Sequence, residues 1–182
     1  MATFNYVDWV SRAPITSTSL SEMSENDQYL YDTIATMPQG ILGWNEKTTD
    51  RNMGSATVGD WYELSGCSTT VTVGESRMIK ATYYCKSVNG GASAGLKQVG
   101  ARIRVTGPDT TFGLTVATVE SGYRRSFPPL IHVGTVTEGS HTFSVEHAII
   151  SAVNTGGILF EATTVAPHQL VVEDIGAYVD AG

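Results

Sequence analysis

The sequence predicts a mainly β protein: an antiparallel, jelly-roll-like β-sandwich preceded by an extended arm and one short N-terminal α-helix. Three observations carry that expectation. From residue 39 onward, apolar and polar residues alternate at period two in about ten short runs separated by turn residues. Nineteen glycines and abundant Thr, Ser and Val supply the turn and strand formers that such a fold consumes. A clear helical period occurs in one stretch, within Ile15 to Gly43. The 182 residues therefore divide into an arm at 1–16, a helix at 17–38 and a sandwich head at 39–182.

The arm reads as extended because Pro14 disfavours helix in the residue before it. It carries Phe4, Tyr6 and Trp9, with Arg12 behind them. Aromatic rings gain by leaving water, so the arm is expected to dock on a neighbouring subunit or a larger assembly, with its own domain as the alternative. The start has no apolar core of signal-peptide length and no small-residue cleavage site. No run approaches the ~20 apolar residues that span a bilayer. Synthesis in the cytoplasm and no membrane insertion are the expectations.

The helix opens on a capping box, Ser19 and Glu22, and ends at Pro38 and Gly40. Taking Leu20 as heptad position a, Met23, Leu30 and Met37 fall at d, Ile34 at a, and Asp27 at the middle a. That is a narrow a/d seam with one polar interruption, the pattern of a short coiled coil. A helix of this length is marginal alone in water, and a polar seam residue usually specifies register or subunit number. The seam is therefore expected to pair between chains rather than lie on its own sandwich.

The expected strands are residues 40–47, 61–64, 69–73, 77–88, 99–107, 112–121, 130–137, 140–153, 157–165 and 168–179. In the fourth, Ile79, Ala81, Tyr83 and Cys85 form the more apolar set and are assigned to the core, with Met78, Lys80, Thr82 and Tyr84 outward. In the fifth, Val99, Ala101, Ile103 and Val105 point inward while Arg102 and Arg104 point outward. So many strands without interposed helices pack as two antiparallel layers, and Greek-key or jelly-roll connections are the usual wiring.

Chemistry is not written into the chain. A net charge of −7 lacks the basic stripe that nucleic acid requires. Arg102 with Arg104, and Arg124 with Arg125, read as solvated charges or local ion pairs. Cys67 and Cys85 are too far apart for a CxxC motif and read as buried free thiols. His132, His141, His147 and His168 read as ordinary surface or strand histidines; the 141–147 spacing of ~20 Å in a strand cannot share a metal. No nucleophile elbow occurs. Glu173 and Asp174 are adjacent on a strand and so point to opposite faces, which spoils them as a catalytic carboxylate pair. Trp61, Tyr62, Tyr83, Tyr84 and Tyr123 are read as core filling, with a sugar-stacking surface as the other possibility. No enzyme activity, metal or cofactor is expected.

Three motifs in order carry a family resemblance: Trp9-Val-Ser-Arg-Ala-Pro-Ile-Thr16 ahead of a short helix; Pro38-Gln-Gly-Ile-Leu-Gly43 leading into the first strand; and Gly139-Ser-His-Thr-Phe143 followed by Leu170-Val-Val-Glu-Asp-Ile-Gly176. Together they resemble small virion structural proteins of tailed bacteriophages, especially those infecting actinobacteria, of the minor tail, head-fibre or head-decoration type. The resemblance covers nearly the whole chain and departs at Ala177-Tyr-Val-Asp-Ala-Gly182, where relatives carry Pro and a short tail. It implies a homotrimer whose helices bundle through Leu20, Met23, Asp27, Leu30, Ile34 and Met37. Phe4, Tyr6, Trp9 and Arg12 would anchor it to other virion proteins, capsid or tail. Heads like those of the tumour-necrosis-factor family would be displayed on the particle surface, and such outward projection suits either decoration of the shell or weak contact with a host-surface glycan. It brings no catalytic residues. The alternative expectation is a carbohydrate-binding or polysaccharide-cleaving module with its site on or between sandwiches.

Overall fold

Alternating residues between Gly40 and Ala177 form twelve strands among those described by the structure, a computed structural model. The described residues are Ser21, 24–30, 37–92, 95–107, 110–152 and 156–177. The strands are β1 (Gly40–Lys47), β2 (Arg51–Asn52), β3 (Trp61–Val73), β4 (Arg77–Tyr84), β5 (Ser87–Asn89), β6 (Leu96–Thr106), β7 (Thr110–Glu120), β8 (Arg124–Arg125), β9 (Leu130–Thr135), β10 (Gly139–Ala152), β11 (Leu159–Glu161) and β12 (His168–Ala177). The chain divides into Met1–Pro38 and Gln39–Gly182. Residues 24–30 of the first unit are helical.

Two four-stranded sheets, ordered β1-β12-β4-β9 and β3-β10-β6-β7, make the sandwich, and every pairing in them is antiparallel. Counting just the eight strands of six residues or more, in chain order, the first sheet holds strands one, eight, three and six. The second holds two, seven, four and five. That is jelly-roll wiring, two Greek keys folded together. It bears out the fold expected from the pattern. Between the sheets, Leu64, Val71, Ile79, Ala81, Tyr83, Val99, Ile103, Val105, Phe143, Val145, Leu170 and Val172 are buried. The inward sets expected on β4 and β6 are the observed ones.

The expected strand list gains the two-residue strands β2 and β8 and changes in three further places. Residues 61–64 and 69–73 belong to one strand, because Gly66 adopts φ 81° inside it and absorbs a register shift opposite Ser144/Glu146 instead of turning the chain. The run 77–88 splits at Cys85, and its last part joins a third, small sheet ordered β2-β11-β5-β8. Of 157–165, Leu159–Glu161 forms strand, with an isolated bridge from Thr163 to Ala166 beyond it.

The histidines divide between the surface and the inner side of strands. His132 is exposed, but His141, His147 and His168 are buried. Each has partners inside: the His141 ring lies between the Thr106 and Thr137 carbonyls, and the other two meet the Tyr83 hydroxyl. The aromatic set divides as well, with Tyr83 in the core and Tyr84 and Tyr123 exposed. Cys67 and Cys85 are buried free thiols, and burial pushes them up to about 12 and about 11.

Candidate subunit interface

Strand β4 sets the face of interest. Its inward residues are Arg77, Ile79, Ala81 and Tyr83, so Met78, Lys80, Thr82 and Tyr84 lie on the outer side of the first sheet. The register carries this phase across the sheet. One row reads Trp44, Val171, Thr82, Ile131 from β1 to β9. The next reads Ile41, Glu173, Lys80, Val133, and on the other side Glu46, Gln169, Tyr84. Ile41, Trp44, Tyr84, Ile131, Val133 and Ile175 are all exposed, Trp44 by 57% and Ile131 by 54%. Scattered single apolar residues need no explanation, but six on one sheet face form a patch.

Charge on this face is largely self-cancelling. Lys80 Nζ lies 2.7 Å from Glu173 Oε2, and that hydrogen bond, then the Glu173 charge, raises the Lys80 pKa. Thr82, at the centre, is shielded by its neighbours, and its hydroxyl has no hydrogen-bond partner among the described residues. Glu46 stands at the margin. The face can exclude water and offers little net charge to repel another copy of the chain.

The outer side of the second sheet is different in kind. Glu146, nearly buried, accepts from Arg102 Nε at 2.6 Å and Arg104 at 3.4 Å. The Arg102 guanidinium sits 4.4 Å from the Trp61 ring centroid. Gly100 makes room for that ring, since a Cβ there would stand 3.0 Å from Trp61. The Thr70 and Thr142 hydroxyls share a 2.8 Å hydrogen bond, and Leu114 and Val116 are exposed on β7. The arginines are thus local ion pairs. Among the described residues, no three His, Cys, Asp or Glu side chains are placed to hold a metal ion.

Of the seam residues expected from the sequence, Asp27, Leu30 and Met37 are described and each is exposed. Leu20, Met23 and Ile34 lie outside the described residues, as do Phe4, Tyr6, Trp9 and Arg12. Sequence reasoning did not single out Trp44, Ile131, Val133 or Ile175. On β9 the pattern points the wrong way: Leu130, His132 and Gly134 hold the inward phase, with His132 exposed at the sheet edge, and are on average more polar than the outward pair Ile131 and Val133. The Phe112 ring explains this, packing edge-on to His132 at 4.7 Å and filling the space above Gly134. The signal that could have found the face was register, carried outward from β4.

No family model and no curated protein sequence matches this chain. Among solved structures it is similar to the CBM22-1–GH10 modules of the Clostridium thermocellum endo-1,4-beta-D-xylanase 10B, complexed with xylohexaose. That match has 10% identity and a TM-score of 0.33, covering 81% of this chain and 29% of that one. It is also similar to the CBM22-2 xylan-binding domain of Paenibacillus barcinonensis Xyn10C, at 7% identity and a TM-score of 0.28, covering 74% of this chain and 100% of that one.

Proposed function

We propose that this protein is a non-enzymatic structural protein of a bacteriophage virion, a homotrimer that displays jelly-roll heads on the particle surface as a capsid decoration, head fibre or minor tail protein. The N-terminal arm and helix anchor it and hold the copies together. The observation that carries the association is the apolar, charge-balanced outer face of the β1-β12-β4-β9 sheet on a chain of net charge −7. The motifs around Trp9, Pro38 and Leu170 support the virion setting.

Magnitudes decide how the work divides. Four strands at ~4.8 Å and about seven ladder residues at ~3.3 Å make a face of roughly 440 Å², so a whole face set against an equal area of a neighbouring chain buries ~900 Å². That falls just short of the ~1,000 Å² a specific interface requires. The sheet face needs help, and the helix seam supplies it by raising the effective concentration of the heads.

Sedimentation at micromolar concentration tests this. Three chain masses are expected for the wild type, and a single chain mass would overturn the assembly. Trp44→Glu with Ile131→Glu places like charges on the face and is expected to weaken association on the order of 100-fold. Unchanged assembly in that variant, with loss in Leu30→Lys, would put association on the helix alone. Imaging of labelled copies on intact particles tests the virion location.

One observation favours a second reading. Trp44 and Tyr84 flank Glu46 and Gln169 on the same face, rings beside hydrogen-bonding groups, as a glycan platform would have. Saturable quenching of Trp44 fluorescence by an oligosaccharide, lost in Trp44→Ala, would replace subunit contact with carbohydrate binding at this face.

A further inference from the structure

The subunit face makes no use of the polar cluster in the core, where residues from all three sheets meet. Tyr83 (β4) and His168 (β12) come from the first sheet, His147 (β10) from the second and Phe160 (β11) from the small third sheet; all four are fully buried. The Tyr83 hydroxyl lies 2.7 Å from His147 Nε2 and 2.9 Å from His168 Nδ1. One hydroxyl can donate to one ring and accept from the other, so two neutral imidazoles satisfy it. The His147 ring stacks on Phe160, centroids 3.8 Å apart at 6°, and Phe127 meets Phe160 edge-on at 5.3 Å. His147 Nδ1 has no hydrogen-bond partner among the described residues.

A proton added at His147 Nδ1 meets no hydrogen-bond acceptor among the described residues. Around the rings stand Lys47 on β1, Asp50 and Arg51 at β2, Cys67 on β3, Cys85 after β4 and Glu161 on β11. Burial, then the neighbouring His168, Arg51 and Lys47, hold His147 well below its ordinary value. Burial also lowers His168 to about 4, with the Phe160 carbonyl and Asp50 opposing and Lys47 assisting. Asp50 is already committed, accepting from the Ala162 amide at 2.8 Å. Burial raises Glu161, but hydrogen bonds from Ser87 and Arg124 outweigh it and keep that carboxyl below its usual range.

We propose that the Tyr83–His147–His168 cluster is an acid-sensitive latch: a proton on either ring releases the small β2-β11-β5-β8 sheet from the end of the sandwich while the eight long strands hold. A charged ring must reach water, and the cheapest opening displaces the weakest cover. That cover is the small sheet, whose strands are two or three residues long. The sign follows from linkage. A histidine depressed in the fold binds fewer protons there than in the open state. Closure is therefore complete above the ordinary value near ~6.5 and weakens as pH falls toward the folded value.

Cys85 is a built-in reporter, because its thiol donates to the Ser87 and Glu161 carbonyls of the small sheet at 3.4 and 3.7 Å. Cys67 lies on β3 in the sandwich proper and reports on the rest. Labelling of the full chain with 4,4′-dithiodipyridine, which reacts in acid, is expected to accelerate on the order of tenfold or more at Cys85 between about pH 7 and about pH 4.5, with Cys67 still protected. Equal acceleration at both thiols means global unfolding and overturns the proposal, as does protection of Cys85 throughout. His147→Gln and His168→Gln each keep an amide for the Tyr83 hydroxyl but take no proton, and are expected to remove most of the acceleration. If they leave it unchanged, the response belongs to Glu161 and its partners and the latch is wrong. Wild-type imidazole resonances give an independent reading should a variant fail to fold: they are expected to titrate together with Cys85 exposure. Titration of both rings near ~6.5 with Cys85 protected would overturn the latch.

Discussion

Lys97 shows how much a single residue can carry unseen. It occupies the inward phase of β6, two residues before Val99, and is fully buried. Its ammonium donates to the Gly90 carbonyl and, at 3.2 Å, to the Gly156 carbonyl, and burial lowers its pKa. Lys97→Met keeps the stem's volume but strips those carbonyls of a donor. Urea unfolding is expected to show a loss of about 1–3 kcal/mol; unchanged stability would mean that water replaces the ammonium. In the sequence, β6 appeared to begin at Val99, because a lysine in the inward phase reads as the strand's outside. The carbonyls that accept its charge come from loops seven and 59 residues away, which no local pattern reveals. The burial of His147 and His168 escapes the sequence for the same reason. Alternation places a side chain in the interior, but the Tyr83 hydroxyl that makes a buried imidazole tolerable arrives from 64 and 85 residues off.

At the scale of elements, strong alternation with one charged phase was fully legible: β4 and β6 face as their sequences require. Less legible were places where glycine does something other than turn. Gly66 bends β3 without ending it. Gly43, read as the end of the junction into β1, is also a point of close approach between the two sheets. A Cβ there would stand 2.6 Å from Thr69 Oγ1 and 2.7 Å from Val71 Cγ1. Strand β1 packs tightly over β3 only because residue 43 has no side chain, which also sets where its neighbour Trp44 emerges on the outer face. Gly43→Val is therefore expected to push β1 away from β3, costing about 1–3 kcal/mol in thermal unfolding. Assembly should weaken more than this loss predicts, since Trp44 moves with the strand. A variant with normal stability and normal mass would show that β1 shifts freely and that its position does not define the face.

For the whole molecule, the proposed homotrimer raises the question of how chains of net charge −7 would come together. Three copies side by side repel one another at any distance shorter than the screening length, ~10 Å at 0.1 M salt. The two outer faces answer that problem differently. On the second sheet, Glu146, Arg102 and Arg104 form a charged network at the surface. On the first, the Lys80–Glu173 pair closes within one chain and the rest is largely Ile, Val, Trp and Tyr. Contact through the first face forms no ion pair that salt can break, while salt screens the repulsion between the remaining surfaces. Association is thus expected to tighten as ionic strength rises from about 0.02 M to about 0.5 M, read as a falling dissociation constant in sedimentation equilibrium. A contact built from charge complementarity would do the reverse. If the copies separate as salt is added, the apolar face of the β1-β12-β4-β9 sheet is not where they meet.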